Sequence, residues 1–285
     1  MNLPAPFSLS NCRVLIVGLG LMGGSLALAL RGKCQAVWGV DLHENTCLYA
    51  KQKGMVENAF ADITQAPQPD LVILAIPVEH ILTLLGQLGE VFHTQVIVMD
   101  IGSTKSEVCK AMEKLPVHIN PIGGHPMCGK EVGGIQAAEA DLFEGAAFAL
   151  TPLARTSEST RRLAAEVVQE IGANVVWLDA ETHDRWVACV SHVPYLLASA
   201  LVASTPLSAA TMVGTGFRST SRLAMTPTSM MASVLRTNRD FILQGLVEVQ
   251  KQLDEMRELL ENNDDRLVEK LDATAERLKK LLGKG

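Results

Sequence analysis

The chain has 285 residues, of which 48% are hydrophobic and 20% charged, and its formal net charge is -6. This length predicts one large domain or two ordinary ones with a substantial core. The acidic balance, without a basic block, argues against nucleic acid or an anionic membrane as a partner. We expect no bilayer-spanning segment, because no run of about 18 apolar residues occurs. The scattered cysteines form no Cys-x-x-Cys pair and no secretory signal is present, which favours reduced thiols in a cytoplasmic protein.

Near the start of the chain, a glycine-rich turn follows a short apolar run. The run 14–17 is followed by Gly18, Gly20 and Gly23. This G-x-G-x-x-G spacing between a strand and a helix is typical of a dinucleotide-binding turn. Gly18 permits the tight turn, Gly20 lets the backbone approach a pyrophosphate, and Gly23 lets the helix pack closely on the strand. Glycines also end strands for structural reasons, so the motif alone is a weak indication.

The residues after this turn extend the cofactor hypothesis. The backbone amides of Leu21 and Met22 would point at an anion bound at the helix N-terminus. Asp41 ends a second apolar run about 20 residues beyond Gly20, where a carboxylate can hydrogen-bond the adenosine ribose. That acid would repel a 2′-phosphate and no arginine follows it, so NAD is favoured while NADP is not excluded. The alternative is an aspartate that only opens a loop.

Apolar strands alternate with helical segments through the first half of the chain. The runs 70–76 and 96–100 are almost continuously apolar, as in the interior of a parallel sheet. These units predict an α/β, Rossmann-type fold, with a doubly wound, mostly parallel sheet followed by an all-α C-terminal domain. Ligands of such sheets bind outside the carboxyl ends of the strands, where Pro77 and Ser103 join the glycine turn and Asp41. Ser103 could instead only cap the next helix.

A Gly- and Pro-rich segment, 121–131, is predicted to be a loop and contains His125 and Glu131. A dehydrogenase of a hydroxyl substrate needs a group that accepts or orients the hydroxyl proton, and histidine has a suitable pKa range. Position alone does not distinguish His125 from a structural histidine. Glu131 and its neighbour Lys130 could be an ordinary solvated pair.

Six motifs in chain order resemble those of the prephenate/arogenate dehydrogenase family. They are Gly-Leu-Gly-Leu-Met-Gly-Gly-Ser (18–25), Asp-Ile-Gly-Ser-Thr-Lys (100–105), Gly-Gly-His-Pro-Met-Cys-Gly (123–129), His-Asp (183–184), Ser-His-Val-Pro (191–194) and Gly-Phe-Arg-Ser-Thr-Ser-Arg (216–222). The motifs cover nearly the whole chain. The combination of the His-Pro segment with Ser-His-x-Pro is more specific than a dinucleotide fingerprint.

The resemblance implies NAD-dependent oxidative decarboxylation of prephenate to 4-hydroxyphenylpyruvate, or of arogenate to tyrosine, in tyrosine biosynthesis. Hydride leaves the ring carbon that bears the 4-hydroxyl, and loss of the ring carboxylate aromatises the ring. By matching position, His125 takes the hydroxyl proton and Ser103 assists it. Arg222 holds a substrate carboxylate, a task that suits its planar fork. Glu131 lies near the substrate side chain, and His192 lines the pocket.

The chain departs from the family pattern at three positions. Ser219 stands where Asp is expected, Lys130 where Thr or Pro is familiar, and Tyr195 where some relatives carry a second histidine. These departures bear on the end of the site that receives the substrate side chain. The choice between prephenate and arogenate therefore stays open, as does feedback by tyrosine.

Two domains are predicted, a dinucleotide-binding domain over 11–180 and a helical substrate and dimerisation domain over 181–285. Leu and Met residues recur at helical spacing between 246 and 281, which indicates a core or a dimer seam. Because members of the family dimerise through the helical domain, we predict a homodimer. His183 and His192 would lie on opposite faces of one straight helix, so no metal site is predicted.

Two other classes of protein remain as alternatives. The β-hydroxyacid dehydrogenases and the imine or pyrroline reductases share the two-domain plan, but they require a catalytic lysine or a different donor on the helical domain. A non-catalytic NAD-sensing module would bind the cofactor without turnover.

Overall fold

The computed structural model describes residues 8–130 and 132–283. Glu131, for which a substrate contact is predicted, lies outside the described residues. The chain divides into two compact units, the first ending at Arg239 and the second beginning at Asp240.

The first unit contains an eight-stranded sheet with the spatial order β3-β2-β1-β4-β5-β6-β7-β8. Its strands are β1 (Arg13–Val17), β2 (Ala36–Val40), β3 (Asn58–Phe60), β4 (Leu71–Leu74), β5 (Val96–Asp100), β6 (Ile119–Pro126), β7 (Ala147–Pro152) and β8 (Asn174–Trp177). Every neighbouring pair is parallel except β6 and β7. The prediction of a doubly wound, mostly parallel sheet is confirmed.

Helices connect most of the strands and predominate after β8. They are α1 (Leu21–Leu30), α2 (Glu44–Gln52), α3 (Val78–Leu85), α4 (Leu88–Val91), α5 (Ser106–Met112), α6 (Glu158–Glu170), α7 (Ala180–Val187), α8 (Val193–Ser204), α9 (Thr215–Ser221), α10 (Thr228–Thr237), α11 (Arg239–Glu261) and α12 (Arg266–Leu281). The described residues after β8 form helices and turns without a further strand, which confirms the all-α character predicted for this half.

The core lies on both faces of the sheet, because successive side chains of a strand point in opposite directions. In β1, Val14 and Ile16 belong to one buried cluster, whereas Leu15 and Val17 belong to the other. A strand buried on both faces is apolar at every position, which explains its continuous run in the sequence. Burying one such side chain contributes about 1.5–3 kcal/mol. The sheet is therefore a rigid support for the loops at its carboxyl edge.

The segment predicted as a histidine loop is largely a strand. β6 continues through His125 to Pro126, and its second half pairs with β7 in antiparallel register, with His125 opposite Ala149. Gly and Pro in the segment favoured a loop, but pairing with a strand more than twenty residues later supplies the backbone hydrogen bonds that an extended segment needs. The correction places His125 on a rigid strand at the same sheet edge as the end of β5.

The helical stretch Ala180–Ser204 bears on the expectation that no segment spans a bilayer. It has 25 residues, and its most apolar 18-residue window has a mean hydropathy of 1.6, so it is long and apolar enough by composition to span a membrane. His192 and Pro194 interrupt its apolar residues, so no continuous run is visible in the sequence. A helix packed inside a protein passes the same test, and here the buried side chains of His183 and Asp184 hydrogen-bond the β5–α5 loop and β6. Those contacts favour protein packing over a lipid surrounding.

Candidate active site

The glycine turn has the geometry that a dinucleotide requires. Gly18 has a φ of +92°, and a Cβ atom there would lie 2.6 Å from the carbonyl oxygen of Ala75. A Cβ atom on Gly23 would lie 1.8 Å from the carbonyl oxygen of Gly18, so only glycine lets α1 approach β1 this closely. Among the described residues, no atom beyond Gly20 and its two chain neighbours lies within 4 Å of a Cβ atom built on Gly20. The turn therefore leaves open space beside Gly20, at the N-terminus of α1, where a pyrophosphate fits.

Asp41 lies beside this turn at the end of β2. Its Oδ2 accepts a hydrogen bond from the Leu19 amide at 2.9 Å, and its Oδ1 accepts one from the His43 amide at 2.9 Å. An ionised carboxylate can accept about four hydrogen bonds, so capacity remains for ribose hydroxyls. The two backbone bonds hold the carboxylate next to the turn, and the residues present fit an adenosine ribose.

Three side chains form a hydrogen-bonded chain that ends at His125. Asp184 Oδ1 lies 2.8 Å from His183 Nδ1, and His183 Nε2 lies 2.9 Å from His125 Nδ1. The two rings meet edge to face, with centroids 5.1 Å apart. Asp184 also accepts hydrogen bonds from the amides of Lys105 at 2.7 Å and Ser106 at 2.8 Å, and so caps α5. The chain thus joins α7, the β5–α5 loop and β6.

The hydrogen bonds determine which ring nitrogens carry protons. Ionised Asp184 can only accept, so the proton of neutral His183 is on Nδ1 and its Nε2 is an acceptor. His125 must then donate from Nδ1, which leaves a lone pair on its Nε2. Within the described residues, the buried side-chain N and O atoms without a partner are Thr151 Oγ1 and Asn238 Oδ1. His125 Nε2 is not among these buried atoms, and it makes no hydrogen bond within the described residues. It is therefore accessible, and a ligand can donate a hydrogen bond to it.

The electrostatic surroundings keep this acceptor free of a proton. Burial, with the nearby charges or dipoles of His183, Lys105 and His192, lowers the pKa of His125 well below 6.5. Burial would raise the pKa of Asp184, but its hydrogen bonds outweigh this effect and lower the pKa. At neutral pH the site therefore holds an anionic Asp184 and an unprotonated His125.

A fully buried ion pair lies beside the strand that carries His125. Lys105 Nζ pairs with Asp100 Oδ2, and neither side chain is exposed. Asp100 also accepts from the Gly102 amide at 2.8 Å and from the Gly124 amide at 3.3 Å. A buried charge pair needs such additional hydrogen bonds to offset its desolvation. The pair connects the end of β5 to the strand that carries His125.

His192 belongs to the same buried region through Asn238. Asn238 Nδ2 donates to the Asp184 carbonyl oxygen at 2.8 Å and lies 3.1 Å from His192 Nδ1, which must therefore be an acceptor. Burial lowers the pKa of His192 to about 4, so its proton lies on Nε2 at neutral pH. A π-helical segment, Ala188–His192, separates α7 from α8, so the straight helix assumed for His183 and His192 is not formed.

The structure brings some of the predicted site residues together and not others. Ser103 is half-buried in the β5–α5 loop, two positions before Lys105, and exposed Pro77 precedes α3 at the same sheet edge. Arg222 is exposed at the start of a short 3-10 turn, Arg222–Met225, after α9. Lys130 pairs with Glu139. Across the described residues, no group of three His, Cys, Asp or Glu side chains could hold a metal ion.

Sequence reasoning missed the residues that support His125. His183 was considered only as part of a motif and as a rejected metal ligand, and no role was assigned to Asp184, Lys105, Asp100 or Asn238. Adjacent His and Asp at the start of an apolar helical stretch were the available signal, because polar residues buried in such a position need partners. Nothing in the sequence pointed to Asn238, whose partners are distant in the chain.

The fold and this site define a Rossmann-type, NAD-dependent dehydrogenase. A family model described as the nucleotide-binding domain of prephenate dehydrogenase matches residues 26–177, and one described as its dimerization domain matches residues 179–273. The chain belongs to the prephenate dehydrogenase family. The resemblance predicted from the motifs is confirmed.

Individual relatives agree with the family match. Prephenate dehydrogenase of Bacillus subtilis is 32% identical over 265 residues, which cover 88% of this chain and 71% of that protein. Cyclohexadienyl dehydrogenase of Zymomonas mobilis is 33% identical over 194 residues, which cover 66% of each protein.

Solved structures extend the similarity to the whole fold. Prephenate dehydrogenase of Aquifex aeolicus, in complex with hydroxyphenyl propionate and NAD+, superposes with a TM-score of 0.89 at 29% identity, over 96% of this chain and 100% of that one. Synechocystis arogenate dehydrogenase superposes with a TM-score of 0.83 at 28% identity, over 94% and 99% of the two chains. A 3-hydroxyisobutyrate dehydrogenase from Mycobacterium tuberculosis, at 16% identity and a TM-score of 0.52, shares the fold alone.

Proposed function

We propose that the protein catalyses the NAD-dependent oxidative decarboxylation of prephenate or arogenate in tyrosine biosynthesis. The observation that carries the proposal is the hydrogen-bonded chain from Asp184 through His183 to His125, which leaves an unprotonated Nε2 at the carboxyl edge of the sheet. A substrate hydroxyl needs such an acceptor when its carbon is oxidised. Relatives named for prephenate, cyclohexadienyl and arogenate substrates support this substrate class.

His125 and Ser103 act at the substrate hydroxyl in this proposal. When bound, NAD+ accepts the hydride of the ring carbon that bears the hydroxyl. His125 Nε2 accepts the hydroxyl proton, and Ser103, in the adjacent loop, orients the hydroxyl and the histidine. The rigid strand β6 holds His125 in place, so little reorganisation is needed during the reaction.

Three further residues are proposed to bind the substrate. Arg222 holds a carboxylate with its planar guanidinium, whose parallel N–H groups match the two carboxylate oxygens. Its side chain is exposed. His192 offers a neutral N–H donor from Nε2, fixed by the acceptor role of its Nδ1. Glu131 is proposed to lie near the substrate side chain on the basis of its position in the family motif alone.

The NAD cofactor is proposed to be preferred over NADP. Asp41 stands beside the glycine turn with free acceptor capacity for ribose hydroxyls, and its negative charge disfavours a 2′-phosphate. The amides of Leu21 and Met22, in the first turn of α1, would face the pyrophosphate. Replacing Asp41 by alanine is therefore expected to raise kcat/KM with NADP+ relative to NAD+, which initial rates with each cofactor measure. An unchanged ratio would contradict this role.

Incubation with substrate and cofactor tests the proposed function. Purified protein mixed with NAD+ and either prephenate or arogenate is expected to form NADH, followed by absorbance, and an aromatic product, identified by chromatography. Comparing kcat/KM for the two substrates decides which is preferred. Binding of NAD+ without turnover of either substrate would contradict the proposal and favour a non-catalytic NAD-sensing module.

A homodimer is proposed as the assembled state. The second family match is described as a dimerization domain. In the unit after Arg239, α11 and α12 expose large apolar residues, namely Leu253, Leu260, Val268, Leu271, Leu278 and Leu281. Only 28% of the most apolar window of Ala180–Ser204 is buried within the chain, although its composition is that of a buried helix. Apolar surface of this extent indicates an interface.

We also propose a domain boundary near residues 180 and 181 and a cytoplasmic location. The two family matches meet between residues 177 and 179, immediately before α7. All six cysteines are free, which suits a reducing compartment.

A further inference from the structure

The low proton affinity of His125 raises the question of where the substrate proton is held. In the proposed reaction, prephenate and NAD+ give hydroxyphenylpyruvate, carbon dioxide and NADH, which balances without net release of a proton. The hydroxyl proton that His125 removes must therefore return to the ring oxygen when the phenol forms. Burial and neighbouring groups make His125 a poor place to hold that proton in the interval.

We propose that His183 and Asp184 form a proton relay with His125 and that the positive charge of the transferred proton is held on His183 during the reaction. The inference rests on the proposed function. The substrate O–H bond breaks and a bond to His125 Nε2 forms, while the proton on His125 Nδ1 moves to His183 Nε2. The return of the proton reverses both transfers, so His125 ends as it began. His183 touches neither substrate nor cofactor and is a positioning residue.

The distances permit this transfer. His125 Nδ1 and His183 Nε2 are 2.9 Å apart, within hydrogen-bond length, so one proton can move between them without rearrangement of either ring. The resulting His183 imidazolium would donate from Nδ1 to Asp184 Oδ1 across 2.8 Å. His183 and Asp184 are buried, with relative exposures of 1% and 0%, so their charges interact with little screening by solvent.

The other charged groups around the relay favour the same direction of transfer. Lys105, paired with Asp100, disfavours a positive charge on His125. His192 has a pKa of about 4 and is neutral at physiological pH. Burial raises the pKa of the Cys109 thiol to about 12, so it is also neutral. Asp184 is thus the anion that contacts one of the two histidines, and that histidine is His183 rather than His125.

The variant His183→Gln separates the relay from the acceptor role of His125. The glutamine oxygen can still accept from His125 Nδ1, which keeps the lone pair on Nε2, but an amide cannot take the proton. We expect kcat to fall by about 10²–10³-fold, within the range of general base contributions. The low-pH limb of kcat/KM should move to lower pH, because the site loses its preferred proton position. The control His118→Gln removes a hydrogen bond of 2.7 Å to the Phe92 carbonyl, at the opposite end of β6, and should leave both unchanged.

A proton inventory in mixtures of H2O and D2O gives a readout that a merely structural role would not move. With the relay, two protons move together, so kcat of the unsubstituted enzyme should depend on the deuterium fraction along a curve. His183→Gln should give a straight line. A straight line for the unsubstituted enzyme, or an unchanged kcat and pH profile in the variant, would overturn the relay. Turnover of prephenate or arogenate by the unsubstituted enzyme tests the proposed function separately, so the two failures are distinguishable.

The variant Asp184→Asn provides a second test. An amide in place of Asp184 removes the negative charge next to His183, while its oxygen can still accept from His183 Nδ1 and from the Lys105 amide at the position of Oδ1. We expect kcat to fall by about 10²–10³-fold, because a His183 imidazolium would lose the anion that it contacts. A comparable loss with unchanged NAD+ affinity supports the relay, and retention of kcat within about threefold overturns it.

Discussion

Gly20 is the glycine of the turn at which a substitution should affect cofactor binding without affecting folding. Gly23 and Gly18 meet protein atoms, whereas a Cβ atom at Gly20 meets none within 4 Å. Gly20→Ala should therefore leave the melting temperature within a few degrees of the unsubstituted value while the Kd for NAD+ rises at least tenfold, because a methyl group would occupy the space of the pyrophosphate. Calorimetric titration measures the affinity. Gly133→Ala, at another glycine with open surroundings, is the matched control, and equal effects of the two changes would refute the assignment.

His192 makes folding stability depend on pH. Its pKa is about 4 in the folded protein and 6.5 as a reference for the unfolded chain, so between these values the unfolded state binds more protons. Stability is then fully present above pH 6.5 and decreases as the pH falls towards 4. His192→Gln should lose less unfolding free energy than the unsubstituted protein between pH 7 and pH 5, as urea titrations measure. An equal loss in both proteins would contradict the buried neutral state of His192.

Asn238 connects the end of α10 to the helix that carries the relay. Its amide donates to the Asp184 carbonyl oxygen and lies 3.1 Å from His192, entirely out of solvent. Asn238→Ala leaves these acceptors unsatisfied and should lower the unfolding free energy by about 1–3 kcal/mol. Arg236→Ala, two positions earlier, removes an exposed ion pair with Glu79 and should cost about 0–1 kcal/mol. Denaturant unfolding compares them, and a smaller effect at Asn238 than at Arg236 would contradict the connection.

Some elements could be predicted from the sequence because local pattern decides them. β1 and β5 are continuous apolar runs, and each forms a strand in which both faces are buried. The edge strand β3 (Asn58–Phe60) lacks such a run and was missed. The extension of β6 depends on β7, and the π-helical segment depends on tertiary packing. Neither leaves a periodic signal in its own residues.

In the candidate site too, the sequence predicts local features and does not predict those that depend on tertiary contacts. The glycine turn and Asp41 follow from spacing along one βαβ unit, and the structure places them in contact. His125 could be selected from its motif, but its tautomer depends on His183, which lies 58 residues later in the chain. Partners at such separations are set by the tertiary fold, so the sequence pattern predicted the acceptor and not the groups that control it.

At the scale of the whole molecule, the exposed apolar helices predict a stable dimer. Light scattering should give twice the mass of one chain, and the Leu278→Asp change on α12 should shift the equilibrium towards monomer because it puts a charge on an apolar interface. Ala273→Asp, at another exposed position of α12, adds the same single charge and is the control. A monomer at micromolar concentration for the unsubstituted protein would contradict the proposed assembly.

The variant His125→Asn tests the central claim most directly, namely that His125 is the proton acceptor of an NAD-dependent dehydrogenase. The change removes the Nε2 lone pair while the glycine turn and Asp41 stay intact. We expect kcat with the preferred substrate to fall by about 10²–10⁴-fold, with the Kd for NAD+ unchanged within a factor of two. His118→Asn should retain full activity. Turnover of His125→Asn at the rate of the unsubstituted enzyme would contradict the account.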